Sequence, residues 1–117
     1  YEVAAAKVCD KFGVKKIAIT LRENPLVWLN DWTAILWQPS GVLRTRSYKV
    51  EIVDRLGAGD SFAAGLIHGL LDNDDQKGLD WGVAMSAIKH TIPGDFAWVT
   101  ADEVASTVKG GGLRIAR

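Results

Sequence analysis

The residues of this sequence best suited to chemistry lie between positions 54 and 65, which read DRLGAGDSFAAG. Two glycines let the backbone turn tightly there, and we expect the main-chain N–H groups of residues 57–60 to be uncovered where a helix begins. Such donors, with the positive end of the helix dipole, form a cradle for an anion. Asp60 stands at the rim of the cradle, where a carboxylate can take a proton from a hydroxyl that attacks a bound phosphoryl group.

Three better-known motifs do not fit this stretch. Phe62 occupies the position where a dinucleotide-binding fingerprint needs its third glycine, and no Gly-Lys-Ser/Thr sequence follows to make a P-loop. Ser61 lacks the glycine spacing of a nucleophile elbow. The remaining alternative is a plain glycine-rich start of a helix, in which Asp60 only stabilises the dipole.

The elements before this stretch follow from hydrophobic periodicity. The pattern predicts a helix over residues 1–12 that is ended by Gly13. An apolar run of strand length follows over residues 17–21 and favours a buried strand of a parallel sheet. Residues 22–25, which end in a proline, are expected to break that strand.

A hairpin and three helices complete the predicted order. Runs rich in β-formers over residues 33–37 and 42–53 are separated by the turn composition Gln-Pro-Ser-Gly and predict the hairpin. A nearly all-apolar helix follows the glycine turn and runs to about residue 71, and because it is apolar on most faces we expect it to be buried on most faces. A further helix follows over about residues 77–89. A capping box at 100–103 opens a last helix that ends at the glycines of 110–112. The order predicts an α/β fold in three layers.

Composition restricts the classes of function. The chain has 117 residues with 14 Lys and Arg against 14 Asp and Glu, so we expect neither a nucleic-acid partner nor an anionic membrane. No apolar run approaches the roughly 20 residues of a membrane span, and the acidic residues near the start do not suit a signal peptide. Cys9 is the single cysteine, and no Cys/His set has zinc spacing. These observations predict one intracellular domain, which we expect in the cytoplasm.

The stretch 54–65 resembles the second signature of the ribokinase-like (PfkB) carbohydrate kinases, D-x-x-G-A-G-D-[SA]-F-x-[AG]-G, at twelve consecutive positions. Residues 84–96, which include KHTIPGDF, and the ending GGGLRIAR look like the 2-keto-3-deoxygluconate kinases of that family. The resemblance covers essentially the whole chain. It implies that residues 1–117 form a single partial domain, the C-terminal nucleotide-binding half of a ribokinase-like three-layer α/β/α sandwich. The N-terminal sugar-binding part and the lid of the family have no counterpart here.

The resemblance also implies an activity. It points to phosphorylation of a sugar acid by ATP with Mg²⁺, converting 2-keto-3-deoxygluconate to its 6-phosphate, in an enzyme that could form a homo-oligomer. A different ribokinase-like kinase, acting on a ketose or a nucleoside, is one alternative. A catalytically incompetent nucleotide-binding fragment is the other, and we expect these 117 residues alone to turn over negligibly.

Residue roles in the signature are carried over position by position. Asp60 matches the catalytic base, which also contacts the sugar hydroxyl, and Gly57, Ala58 and Gly59 match the anion hole. Asp54 matches the first acid of the signature, which is expected to act indirectly on the magnesium–phosphate network. A salt bridge to Arg55 or a cap at the start of the helix is the alternative for Asp54.

Roles outside the signature concern the nucleotide and the sugar. Thr20, Leu21 and Arg22 match a segment near the nucleotide phosphates, although Arg22 stands where related kinases have glycine. Asp95 matches an acid that faces the hydroxyls of the sugar acid, with a turn residue as the alternative. Three residues of the second-last helix would border the adenine unless they only pack against neighbouring helices: Val83, Ala84 and Ala87.

Overall fold

The computed structural model describes residues 1–110 and 112. The ending GGGLRIAR, which contributed to the resemblance, lies largely outside the described residues. The described residues form one helix, then four strands and then three more helices. The prediction of an α/β chain is therefore confirmed, with one strand more than the sequence pattern indicated.

The sheet is built around one long strand. β2 (Leu29–Gln38) pairs antiparallel with β1 (Ile17–Leu26) along one edge. Along its other edge, β2 pairs antiparallel with β3 (Gly41–Arg44) and then with β4 (Tyr48–Glu51), which occupy opposite halves of the same strand. β2 is thus the scaffold against which the other three strands register.

Two predictions about β1 are wrong. β1 runs antiparallel to its described partner, and residues 17–21 are mostly half-buried rather than fully buried. The strand also continues through residues 22–25, because the pairing register shifts between Glu23 and Leu26. A proline costs a strand one ladder donor, and an irregularity of this kind is where a sheet tolerates that loss.

The predicted hairpin is confirmed, but its second arm is divided. The turn falls between Gln38 and Gly41, as the composition of that segment indicated. The single strand predicted over 42–53 is two strands, because the chain leaves the ladder at residues 45–47. There Thr33 Oγ1 donates to the Thr45 carbonyl at 3.1 Å, so a side chain of β2 holds the interruption.

The helices begin and end close to the predicted positions. They are α1 (Glu2–Phe12), α2 (Ala58–Leu71), α3 (Asp75–His90) and α4 (Ala101–Val108). Gly13 caps α1 in the left-handed region at φ 66°, and the capping box of Thr100 and Glu103 is formed. α3 begins two residues earlier than predicted because the Asp74 side chain caps it, accepting from the Lys77 N–H.

The sheet separates two helical layers. α1 lies on one face, and α3 packs on the other face with α2 stacked against it. The core between the sheet and α3 is formed by strand residues such as Leu36 and Val50 and by the inward face of α3. This arrangement is the three-layer α/β/α order expected from the sequence.

The burial predicted for α2 is wrong. Ile67 and Leu71 are 54% and 78% exposed, so a large part of the helix faces outward. Its buried side combines the core residue Phe62 with four small residues, Ala58, Ser61, Gly65 and Gly69. The glycines allow a close approach to α3. A Cβ atom on Gly69 would lie 2.1 Å from the backbone nitrogen of Gly78. Small residues on one face, rather than apolar residues on all faces, define how α2 packs.

Among the described residues, no helix combines the length and the apolar character that crossing a membrane requires.

Candidate active site

An open pocket of about 590 Å³ lies at the start of α2. Asp60 and Asp95, which are far apart in the sequence, both line it, and both side chains are exposed to solvent. The wall between them is largely apolar. Its lining residues are Leu56, Gly57, Asp60, Ser61, Ala64, Met85, Asp95, Phe96 and Ala97. The pocket therefore combines two free carboxylates with an apolar surface, a combination suited to a small polyhydroxylated ligand.

The turn before α2 requires its first glycine. Gly57 has φ 78°, a conformation that side-chain-bearing residues rarely adopt. A Cβ atom at this position would also lie 2.0 Å from the carbonyl oxygen of Asp95. The second glycine differs, because a Cβ atom on Gly59 would meet nothing within 4 Å. Space next to Gly59 is therefore open for a ligand to approach the backbone.

The anion cradle is smaller than the sequence predicted. The Ala58 N–H donates to the Arg55 carbonyl at 3.2 Å, so the expectation that all donors of residues 57–60 are uncovered is wrong for this one. The tight turn that starts the helix uses this donor internally. The cradle then has at most three donors, the N–H groups of Gly57, Gly59 and Asp60, together with the helix dipole.

Asp54 ties two segments of the site together. Its Oδ1 accepts from the Leu56 N–H and its Oδ2 from the Gly94 N–H, both at 3.0 Å. The bond from Leu56 first, and that from Gly94 second, lower the pKa of the Asp54 carboxyl below its ordinary value. Arg55 instead donates to the Val27 carbonyl at 2.7 Å. Asp54 is thus held by backbone donors rather than by the salt bridge to Arg55 that the sequence left open.

The last turns of α3 support the pocket, which sequence reasoning missed. The buried Ser86 hydroxyl donates to the Ala58 carbonyl at 2.9 Å. The His90 carbonyl accepts from the N–H groups of Val53 and Asp54 at 2.8 and 3.2 Å. The only sequence signal for these contacts was a run of polar residues on a helix face that is otherwise apolar.

His90 lies where several positive charges converge. Its Nδ1 donates to the Ser86 carbonyl at 2.7 Å, and its ring contacts Trp32 at a centroid distance of 4.9 Å. Burial lowers the pKa of His90 below its ordinary value of 6.5. The hydrogen bond to the Ser86 carbonyl opposes this by raising the pKa, and the nearby charges of Lys89, Arg55 and Arg22 lower it, in decreasing order of effect. The folded state therefore favours the neutral imidazole.

The β1 residues predicted to meet the nucleotide divide between the two faces of the sheet. Leu21 lines a separate pocket of about 260 Å³ next to Glu2 of α1. Thr20 and Arg22 point the other way, because side chains alternate along a strand. Arg22 pairs across the sheet with Trp32, whose ring contacts His90 of α3, and paired residues share a face of the sheet, so Arg22 lies on the α3 side. Arg22 therefore offers a cation on the face where the cradle lies, and Leu21 does not share that face.

The helix residues predicted to border the adenine have no exposed surface. All three are 0% exposed and belong to the core between the sheet and α3: Val83, Ala84 and Ala87. Their burial agrees with the packing alternative. In this conformation they cannot touch a ligand directly.

The donors present fit a nucleotide phosphate better than a metal bound by protein alone. The described residues contain no group of three or more His, Cys, Asp or Glu side chains that could hold a metal ion. Mg²⁺ is often held by phosphates with one or two carboxylates, so such a group is not needed for Mg²⁺ that arrives with ATP. Asp54, with each oxygen already accepting a backbone N–H, suits an indirect contact with such an ion.

Comparisons with a family model and with individual proteins both identify carbohydrate kinases. Residues 2–95 match the model of the pfkB family carbohydrate kinases. The chain is 35% identical over 114 residues to the 2-dehydro-3-deoxygalactonokinase of Haloferax volcanii, covering 97% of this chain and 33% of the relative. It is 33% identical over 72 residues to the 5-dehydro-2-deoxygluconokinase of Bacillus subtilis, covering 58% of this chain and 22% of the relative.

The fold has a close counterpart among solved structures. The crystal structure of 2-dehydro-3-deoxygluconokinase from Thermotoga maritima superposes with a TM-score of 0.87 at 39% identity. The match covers 94% of this chain and 34% of that one. Almost all of this chain matches the H. volcanii and T. maritima proteins, but it spans only about a third of the length of each. The expectation of a partial ribokinase-like fold is confirmed.

Proposed function

This chain belongs to the pfkB family of carbohydrate kinases, and from that premise we propose that it forms part of an ATP-dependent sugar-acid kinase. The substrate class is a 2-keto-3-deoxy sugar acid, and 2-keto-3-deoxygluconate phosphorylated at its 6-hydroxyl is the specific proposal. The observation that carries this assignment is that Asp60 and Asp95 line one pocket at the start of α2.

The proposed mechanism gives Asp60 the central role. Its carboxylate accepts the proton of the sugar hydroxyl as that hydroxyl attacks, which general-base catalysis requires. The N–H groups of Gly57 and Gly59 are the donors that would stabilise the negative charge developing on the transferred phosphoryl group. When bound, ATP would supply the γ-phosphoryl group and leave as ADP, and Mg²⁺, with Asp54 near it, would neutralise phosphate charge.

Asp95 has a different proposed role, that of orienting the sugar. An ionised carboxylate accepts hydrogen bonds from two hydroxyls at once, which suits recognition of adjacent sugar hydroxyls. Phe96 lines the same pocket and packs against Trp98 with ring centroids 5.7 Å apart. The Phe96 ring gives the apolar side of the sugar a surface to contact, and Trp98 supports that ring from outside the pocket.

A second candidate is a nucleotide-binding fragment without turnover. The observation that favours it is coverage, because the chain spans only about a third of the length of its relatives. A third candidate is a kinase of the same family with another substrate. The B. subtilis relative is named for a different dehydro-deoxy sugar acid, and a ketose or a nucleoside is the further alternative acceptor.

The deciding experiment measures ATP turnover by the full-length protein that carries this chain. The acceptors are 2-keto-3-deoxygluconate, its galactonate epimer, 5-keto-2-deoxygluconate, a ketose and a nucleoside. We expect the highest kcat/KM with the two 2-keto-3-deoxy acids. A preference for the ketose or nucleoside would overturn the substrate proposal. For the isolated chain, calorimetry with ATP and Mg²⁺ and a turnover assay separate a binding fragment from a competent kinase.

A further inference from the structure

Lys89, in the last turn of α3, is the largest side chain that is fully buried among the described residues. Its Nζ donates to the carbonyl oxygen of Ile92 at 3.0 Å. Burying an ammonium group is costly unless nearby groups compensate for its lost hydration. A residue of this kind in an otherwise apolar helix face therefore needs a structural or functional reason.

The segment that Lys89 contacts is held from a second side. Ile92 lies two residues before Gly94, whose N–H donates to the Asp54 carboxylate at 3.0 Å. The charge of Lys89 also favours the ionised form of Asp54, since it contributes to the lowered pKa of that carboxyl after the hydrogen bonds from Leu56 and Gly94. One short turn, residues 92–94, is therefore held at both ends: Lys89 donates to the Ile92 carbonyl, and Asp54 accepts from the Gly94 N–H.

This turn comes directly before Asp95 and so sets where Asp95 lies in the pocket. The backbone of Asp95 rests directly against Gly57, three residues before Asp60. Any displacement of the turn therefore changes the position of one pocket acid relative to the other. Because sites of this kind lose activity when a binding group shifts by about 1 Å, the grip on the turn has a functional consequence.

We propose that Lys89 and Asp54 are positioning residues, which clamp residues 92–94 so that Asp95 faces Asp60 across the pocket. This inference rests on the proposed function, since it assigns the clamp to sugar binding by Asp95. A simpler role for Lys89 is to cap the end of α3 through a carbonyl. Capping alone would affect stability and would leave the sugar KM unchanged.

The test uses the full-length protein with Lys89→Met, which keeps the length of the side chain and removes its charge. We expect the KM for 2-keto-3-deoxygluconate to rise about ten-fold, as for loss of one hydrogen bond to a charged group. We expect kcat and the KM for ATP to change less than about three-fold, because Asp60 and the cradle stay in place. Lys77→Met is the matched control, since Lys77 lies on the same helix and pairs with Asp72 at the surface.

A second readout does not depend on activity. Hydrogen exchange at the Gly94 amide should accelerate in Lys89→Met and in Asp54→Asn, and should be unchanged in Lys77→Met. An unchanged sugar KM with unchanged Gly94 exchange in folded Lys89→Met would overturn the clamp. If Lys89→Met does not fold, Asp54→Asn decides by the same two measurements. If the unmodified protein phosphorylates no sugar acid yet Gly94 exchange responds as expected, the proposed function fails while the clamp stands.

Discussion

The carbonyl oxygen of Asp95 rests against Gly57 so closely that a Cβ atom at position 57 would lie 2.0 Å from it. This contact joins the turn after α3 to the turn before α2. It explains how two acids that are distant in sequence come to line one pocket. The contact also leaves no room for a side chain at position 57.

Gly57→Ala should destabilise the protein by about 2–4 kcal/mol. The cost combines strain at positive φ with displacement of the Asp95 backbone. Urea denaturation of the full-length protein measures the change. Gly59→Ala is the control: its Cβ would meet nothing, so we expect no loss of stability, and a gain of up to about 1 kcal/mol is typical of this exchange within a helix. Equal losses in the two variants would contradict the role of the Asp95 contact.

Asp60→Asn should lower kcat by about 10²–10⁴-fold, because the amide cannot accept the proton of the sugar hydroxyl. ATP affinity should change little or improve, because the exchange removes a negative charge near the phosphates. Sugar affinity should weaken through a lost hydrogen bond, by about 0.5–1.5 kcal/mol for a neutral bond and by more for a bond to the ionised carboxylate. Steady-state kinetics with both substrates provide the test. Asp102→Asn is the control for effects on the helix dipole, because it also changes an acid in the first turn of a helix. A near-normal kcat in Asp60→Asn would mean that Asp60 only caps the helix.

Stability should fall in mild acid because of His90. Its folded-state pKa lies below its ordinary value of 6.5, so the unfolded chain takes up a proton first as pH falls. The contribution of the neutral imidazole is fully present above pH 6.5 and is lost as pH falls toward the folded-state pKa, with a slope of at most about 1.4 kcal/mol per pH unit.

Denaturation midpoints between pH 7.5 and pH 5 measure this slope. His90→Asn retains a donor for the Ser86 carbonyl and removes the titration, so its stability should depend less on pH in this window. His68→Asn, at the outer surface where His68 stacks on Trp81, should keep the slope of the unmodified protein. Identical slopes in the unmodified protein and His90→Asn would refute the assignment.

Gly69→Ala should separate α2 from α3. The added Cβ would meet the Gly78 backbone at 2.1 Å, and backbone atoms cannot move aside as a flexible side chain can. We expect a loss of about 1–3 kcal/mol, the usual cost of overpacking, measured by thermal or urea unfolding. Gly59→Ala serves again as the control, because it adds the same methyl group to the same helix in open space. A neutral Gly69→Ala would show that the two helices can slide apart at little cost.

Local residue patterns determined much of the secondary structure. The end of α1 at Gly13, the capping box of Thr100 and Glu103 and the turn at residues 38–41 each depend on residues within about four positions. Interactions of that range are visible in the sequence. The family resemblance of residues 54–65 is local in the same sense, because one continuous turn and the start of one helix carry it.

Partner-dependent features could not be predicted in this way. The direction of β1 and the division of residues 42–53 into two strands depend on pairing with β2. The burial of α2 depends on how closely its glycines approach α3. Hydrophobic periodicity reports that a face is apolar, but does not say which element covers it or from which direction.

The residues of the candidate site also fall into those that local sequence patterns predict and those that only packing brings together. The sequence alone determined that an acid, Asp60, follows a glycine turn at the start of a helix, because helix start signals are local. Only the tertiary structure decided that Asp95 lines the same pocket as Asp60. It also decided that the Ala58 N–H donates to the Arg55 carbonyl, and that Lys89 is buried with its Nζ bonded to the Ile92 carbonyl. Most of these features depend on contacts between α2, the end of α3 and the segment after it. The order of residues along the chain does not specify such contacts, because they form only when the helices pack together.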